Sequence, residues 1–258
     1  MRLYLLRLAT LQPGSVPVLG YVVQTDGVNV LIDGGFPSDF IANPPTLTGG
    51  LRIEMSEEDY IVKRLDSIGL RPDDIQLLVC THLDADHAGG HRVFTNAELF
   101  VQREHYEFAR QSDHPRFAAI REHWDHPSLR YRLTDGDTEL VPGVELVETS
   151  GHVPGHQAIL VRLPETGPVL LAADAIPHPS MPDPETLDTP LRHGRGGHAG
   201  EHAQAGGACA ARRRHAHHPR PRRGAVRDAQ AGARVLQLSD AAGAFCNLDP
   251  QSFRAAAA

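Results

Sequence analysis

From Arg192 to Arg223 the chain contains no Val, Ile, Leu, Met, Phe, Trp or Tyr. The stretch is almost wholly His, Arg, Gly and Ala, so it has no apolar side chains to bury and is expected to be disordered. This stretch therefore cannot contribute to a packed core. Up to about Leu187 the sequence has an ordinary α/β texture. "MRLYLL" reads as a first strand, and "YVVQTDGVNVLIDGG" as two strands around an Asp26-Gly27 turn. Ser56, with Asp59 three residues later, caps a helix whose Ile61, Leu65 and Ile68 share one face. "IQLLVC" (Ile75 to Cys80) reads as a buried strand, and "ELFVQ" as another leading into a helix over Glu104 to Arg110. "VELVETS", "QAILVRL" and "GPVLLAADA" complete the strand pattern. The fold class is α/β, with residues 1–187 as one domain and 188–258 as an aberrant tail.

Bulk properties exclude little but set the context. The net charge of −7 gives no global attraction to nucleic acid or to an anionic membrane. Cys80, Cys209 and Cys246 are far apart and form no CxxC pair, which fits reduced thiols rather than a disulfide framework. The N-terminal apolar run is too short to span a membrane and lacks a small-residue cleavage site. A cytoplasmic protein with no membrane partner is the expectation, and a homodimer is compatible with it.

The chemistry-bearing residues follow the strands. "THLDADHAGG" places His82, Asp84, Asp86 and His87 in six residues directly after the apolar run that ends at Cys80. Imidazole nitrogen and carboxylate oxygen are the donors that Zn²⁺, Fe²⁺ and Mn²⁺ take. Residues two apart point to one side of an extended segment, so His82 and Asp84 can share one ion. Asp86 and His87, past the bend, can reach a second, while Gly89 and Gly90 permit a sharp turn and close approach. The bland alternative is a polar loop in which Asp86 caps a short helix. "TSGHVPGHQ" adds His152 and His156 after another strand, although alone it could be a surface turn. Asp174 ends "VLLAAD", where a lone aspartate is ordinarily a turn former.

Taken in order, "THLDADHAGG", "SGHVPGH" and "LLAADA" resemble the metallo-β-lactamase superfamily, and within it the N-acyl homoserine lactonases. The "LIDGG" stretch, Leu31 to Gly35, resembles an early strand and turn of the same superfamily. The resemblance covers roughly residues 1–187 and implies an αββα sandwich with a dinuclear metal site at one edge of the two sheets. It implies that His82, Asp84 and His152 bind a first ion, that Asp86 and His87 bind a second, and that Asp174 bridges them. It implies two divalent ions, zinc by default with iron, manganese or cobalt as alternatives. A small-molecule lactone or ester would be opened by hydroxide held between the ions, with Asp86 and Asp174 as catalytic residues. His156 is expected to orient its loop rather than to bind metal; Arg103, His105 and Tyr106 either line the substrate pocket or decorate a helix, and the second reading is favoured. Other branches fit less well. A thioesterase of this fold would keep histidine at position 84, nuclease branches would add histidine motifs and a second domain, and a β-lactamase would carry cysteine at the place of Asp174.

There are three departures from the family pattern. Asp84 stands where the family has its second histidine. Pro177 stands where the lactonases have an active-site tyrosine. The family's last histidine ligand has no counterpart in the written sequence. For the tail, a basic nucleic-acid-binding segment or a metal-sequestering tract are two readings, and translation in the wrong frame is the favoured third. A single lysine, Lys63, against many arginines indicates a GC-rich gene. Read one base later, permitted codons for Leu191 to Gly196 can give Phe-Asp-Met-Asp-Glu-Glu. Those for His217 to Arg222 can give Ile-Ile-Leu-Gly-His-Asp, which would restore a histidine at a strand end. Those for Asp228 to Gln237 can give Thr-Leu-Lys-Leu-Ala-Pro-Glu-Tyr-Tyr-Ser. A slip near Thr189 to Leu191 would join these strings to the domain before them.

Overall fold

A computed structural model of the chain describes residues 1–176 and the short strand Arg234–Leu236. Two sheets face each other. The first holds β1 (Arg2–Gln12), β2 (Val16–Thr25), β3 (Val28–Ile32), β4 (Arg52–Glu54), β5 (Leu77–Val79), β6 (Glu98–Gln102) and β7 (Arg130–Thr134), in the order β4-β1-β2-β3-β5-β6-β7. The second holds β8 (Thr138–Val141), β9 (Val144–Glu148), β10 (Gln157–Leu163), β11 (Gly167–Leu171) and β12 (Arg234–Leu236), in the order β12-β11-β10-β9-β8.

The strand residues alternate between two cores, as the two-residue period of a strand requires. Leu31 and Leu78 point to one side of the first sheet, together with Leu8, Val22 and Leu99. Helices bury Ile61, Leu65, Ala109, Phe117 and Trp124 into that cluster. They belong to α2 (Ile61–Ser67), α4 (Arg103–Gln111), α5 (Pro115–Ala118) and α6 (Arg121–Trp124), which follow or flank the short α1 (Asp39–Ala42) and α3 (Ala85–Ala88). On the other side Val30, Ile32 and Val79 meet Val144, Leu146, Ile159, Val161 and Leu171 of the second sheet. Three layers of the expected αββα sandwich are therefore present. All six α-helices among the described residues precede β7, and none of those residues forms a helix layer over the second sheet.

Local expectations hold closely. The Asp26-Gly27 turn joins β2 and β3 in register, with Thr25 opposite Val28. Ser56 and Asp59 form the reciprocal cap, the Ser56 N–H and hydroxyl both donating to Asp59 Oδ2 at 3.0 and 2.7 Å. It caps a 3₁₀ turn over Glu57–Asp59 that leads into α2. The strands β4, β7 and β8 were not foreseen; β7 and β8 are edge strands with only half-buried and exposed residues, so they carry no apolar alternation. The tail reading and Pro177 fall outside the described residues, apart from β12, which pairs parallel to β11 with Val235 opposite Leu170. No described helix is long and apolar enough to cross a membrane.

The topology gathers the motifs at one edge. β3 and β5 are parallel, so Asp33 and the loop from Thr81 leave the first sheet at the same end. β9 and β11 both run antiparallel to β10, so the loop bearing His152 and the turn bearing Asp174 also leave at one end. Gly89 and Gly90 are required there by close approach rather than by their own backbone angles. A Cβ on Gly90 would lie 2.2 Å from the Gly34 carbonyl oxygen, and one on Gly89 would lie 2.5 Å from the Pro37 nitrogen. We expect Gly90→Ala to cost about 1–3 kcal/mol, the range for forced overpacking. Chemical denaturation measures it, and an unchanged midpoint would show that the backbones can separate freely.

Candidate metal centre

Asp33 lies just past β3 with φ of 58° and is 1% exposed. Its Oδ1 accepts the Thr81 N–H at 2.8 Å, and its Oδ2 accepts the Thr81 hydroxyl at 2.8 Å. Oδ2 also accepts from His87 Nδ1 at 2.8 Å. The carboxylate thus ties β3 to the ligand loop and aims the other face of His87 outward. His87 Nε2 lies 3.7 Å from Asp174 Oδ1 and 3.6 Å from Asp86 Oδ2. Burial opposes a charge on His87, but Asp86, Asp33 and Asp174 around it raise its pKa well above the usual histidine value.

His82 is fully buried between His87, His152 and His156, with ring centroids 4.0, 5.0 and 5.1 Å away. Its Nδ1 is 3.0 Å from the Thr81 hydroxyl, which has given its one proton to Asp33. His82 must then donate from Nδ1, which leaves a bare Nε2 lone pair. Burial, with the nearby His87 as the next contribution, keeps its pKa well below the ordinary value. That lone pair faces Asp84 Oδ2 at 3.1 Å and Asp174 Oδ2 at 3.8 Å. Acceptor opposed to acceptor is unfavourable unless a cation lies between them. His152 Nε2 completes the group, 3.3 Å from Asp84 Oδ2 and 3.4 Å from Asp174 Oδ2.

Two sets of donors could therefore each hold a metal ion, His82–Asp84–His152 and His82–His87–Asp174, each with its atoms within 4.8 Å of one another. Asp174 turns one oxygen toward each set. Asp86, beside His87, has its pKa raised by burial and then by the Asp174 and Asp84 carboxylates, against the pull of His87. Asp84 occupies the N-cap position of α3, as the bland reading proposed for Asp86, yet its side chain makes no capping hydrogen bond. It turns to His82, His152 and Arg116 instead. His156 belongs to neither set: its Nδ1 is 2.7 Å from the Thr149 hydroxyl, and its buried Nε2 has no hydrogen-bond partner.

One expectation is overturned. His105 does not decorate α4; it is fully buried and clamps the two ligand loops together. Its Nε2 accepts the Leu83 N–H at 2.7 Å, and its Nδ1–H donates to the Pro154 carbonyl at 2.9 Å. Burial pushes its pKa down to about 4, which suits a neutral ring that accepts on one side and donates on the other. Gly155 is needed for this contact, because its φ is +66° and a Cβ would meet the His105 nitrogen at 2.6 Å. Arg103 behaves as expected, pairing with Asp135 at 3.0 Å on the surface, whereas Tyr106 is half-buried and packs against Trp124 and Tyr131 at the edge of the core. Gln157 adds a second tie, donating from Nε2 to the Cys80 carbonyl at 2.8 Å and from its N–H to the Thr81 carbonyl at 3.2 Å. Asp33, Gln157 and Arg116 were assigned no role from sequence. Asp33 had a signal in "LIDGG", whereas the other two had none.

Residues 13–214 match the family described as the metallo-beta-lactamase superfamily. The chain belongs to that superfamily. An N-acyl homoserine lactonase from Bacillus sp. is 38% identical over 175 residues, covering 65% of this chain and 68% of the relative. One from Azorhizobium caulinodans is 34% identical over 174 residues, covering 62% of this chain and 65% of the relative. A solved N-acyl homoserine lactone hydrolase with the product N-hexanoyl-L-homoserine bound at its catalytic metal center is similar with a TM-score of 0.59 and 34% identity, covering 66% of this chain and 73% of that one. The metallo-β-lactamase fold and a metal-dependent hydrolase follow for this chain.

Within the superfamily fold, Asp33 stands behind His87 as carboxylates stand behind metal-binding histidines, fixing the ring and raising its basicity. We expect Asp33→Asn, which cannot accept all three donors, to weaken metal binding by about 10–100-fold. Competition with a chromogenic chelator measures this. Unchanged affinity would mean that His87 is held by its packing alone.

Proposed function

We propose that the chain opens the lactone ring of N-acyl homoserine lactones, holding two divalent ions at the edge of its sheets. The observation that carries this reading is Asp174, whose Oδ2 faces His82 and His152 while its Oδ1 faces His87. His82, Asp84 and His152 would hold the first ion, Asp86 and His87 the second, and Asp174 both. When bound, such ions supply Lewis acidity and bring the pKa of water to near neutral. The protein's own part is to orient and to move protons. Asp33 and His105 fix the donors before any substrate arrives. Asp86 would take part in moving a proton to the alkoxide that leaves as the ring opens. One water is consumed, and the product is the N-acyl homoserine. Leu11, Val16, Val18, Leu19 and Tyr21 of the β1–β2 hairpin make an apolar wall to the narrow cleft beside Asp86, His87 and Asp174.

Zinc is the proposed metal and the cytoplasm the proposed location. Purified protein supplied with Zn²⁺, Mn²⁺ or Co²⁺ should consume N-hexanoyl homoserine lactone with release of one proton per ring, read with a pH indicator. Asp174→Ala should lose more than the ~10–100-fold typical of removing a residue behind a ligand. Absence of turnover in the chain and in a frame-restored version would reject the substrate.

A second reading is a catalytically impaired product. It is favoured because, among the described residues, the second ion would have His87 and Asp174 with Asp86 beside them, and the one histidine grouped with these is His82, which the first ion would also use. We propose that residues 1–187 carry the domain and that 188–258 arise from a one-base slip. Identity to the Bacillus relative over 65% of this chain supports this, while the family match runs on to residue 214. Sequencing the DNA from Pro182 onward decides it: codons incompatible with the three strings would end the slip hypothesis.

A further inference from the structure

Among the described residues, Arg116 is the one cationic side chain in the rim that the metal reading leaves without a role. Its Nε and Nη2 donate to both oxygens of Asp84, and the same Nη2 donates to His152 Nε2. Asp84 Oδ2 is also the oxygen that lies 3.1 Å from His82 Nε2 and 3.3 Å from His152 Nε2. The guanidinium therefore rests on two of the three donors of the first set. A guanidinium N–H only donates, so it can meet His152 Nε2 only along the lone pair that a metal ion would also take. One lone pair cannot serve both.

The position of Arg116 is built rather than incidental. α5 is capped by the preceding His114, whose Nδ1 accepts the Arg116 N–H at 3.2 Å. The next residue, Phe117, is fully buried and meets the His105 ring edge-on at 5.8 Å. The helix is thus docked on the residue that clamps the ligand loops, and Arg116 is delivered between them. Its side chain is still 21% exposed, so it has a solvent-facing way out. Charge is matched as well, because aspartate at position 84 adds a negative charge that a neutral histidine would not, and Arg116 supplies the positive one.

We propose that Arg116 is an internal cation that fills the first donor set in the metal-free protein and must withdraw before that set can take an ion. This rests on reading the rim as a metal centre. Arg116 is then a positioning residue: it keeps Asp84 and His152 in ligand geometry and competes with the ion they are shaped to bind. The first set should load more weakly than it would without the guanidinium.

The test is Co²⁺ titration of the metal-free full chain, followed by its visible absorption bands, with Asp84→Ala identifying the step that depends on this set. Arg116→Gln should tighten that step by about tenfold or more, since two charge-assisted contacts no longer have to be broken. Arg116→Lys, with a single nitrogen, should fall between the two, and it serves as the second variant should the glutamine chain fold poorly. An Asp84-dependent step of equal or weaker affinity in both variants would overturn the proposal while leaving the metal centre standing. Failure of every chain, wild type included, to take up Co²⁺ would remove the metal centre and the proposal together.

Discussion

The rim depends on one buried carboxylate. Asp33 receives three donors, two from Thr81 and one from His87, across 48 and 54 residues of chain. A carboxylate out of water is tolerable only when its lone pairs are filled in this way. The same contacts close the end of β3 onto the loop after β5, so they fix where the ligand loop begins. They also set the tautomers. His87 gives its Nδ1 proton to Asp33, and the Thr81 hydroxyl, spent on Asp33, obliges His82 to present Nε2 as a lone pair. The neighbouring backbone follows: the Gly34 N–H donates to the His87 carbonyl at 2.7 Å, and the Gly90 N–H to the Gly35 carbonyl at 2.9 Å.

The second sheet is brought to this anchor by neutral side chains. His105 accepts from the first ligand loop and donates to the second, and Gln157 reaches back from β10 to Cys80 and Thr81. Gln102 completes the tie by donating to Gln157 Oε1 at 3.1 Å. Neutral partners suit this job, because they fill buried backbone groups without adding charge where several carboxyl groups already crowd together. The result is a donor arrangement held from three directions, as a site needs if it is to meet a substrate without rearranging.

Much of this was legible in the sequence. Apolar runs ending in "THLDADHAGG", "TSGHVPGHQ" and "VLLAAD" marked the inner strands and five residues that the structure groups as possible donors, His82, Asp84, His87, His152 and Asp174, because strand period and motif spacing are local properties. What escaped was non-local or unpatterned. His105 lies 22 residues from Leu83 and 49 from Pro154 in the chain, and on α4 it looks like any other polar helix residue. Arg116 lies 32 residues from Asp84, in a four-residue helix that periodicity cannot detect. β7 and β8, half-buried at sheet edges, lack the alternation that exposed the inner strands.

The composition of the rim says what it is built to receive. Asp33, Asp84, Asp86 and Asp174 bring four carboxyl groups into a region whose cationic side chains, among the described residues, are Arg116 and, when protonated, His87. Such a cluster cannot lose all its protons and stay unpaired, because each buried, unmatched charge is strongly unfavourable. Protons partly relieve it, which is why burial and its neighbours push the Asp86 pKa up and the surrounding carboxylates push that of His87 up. An arginine relieves it further at Asp84. Both are substitutes with the wrong geometry for Asp174, whose two oxygens diverge toward separate donor groups 3.4–3.8 Å away. Divalent ions would satisfy both directions at once. The Asp84–Arg116 pair gives this carboxylate its own counter-charge, so on the proposal made above for Arg116 the strength of metal binding becomes a matter of which cation Asp84 holds.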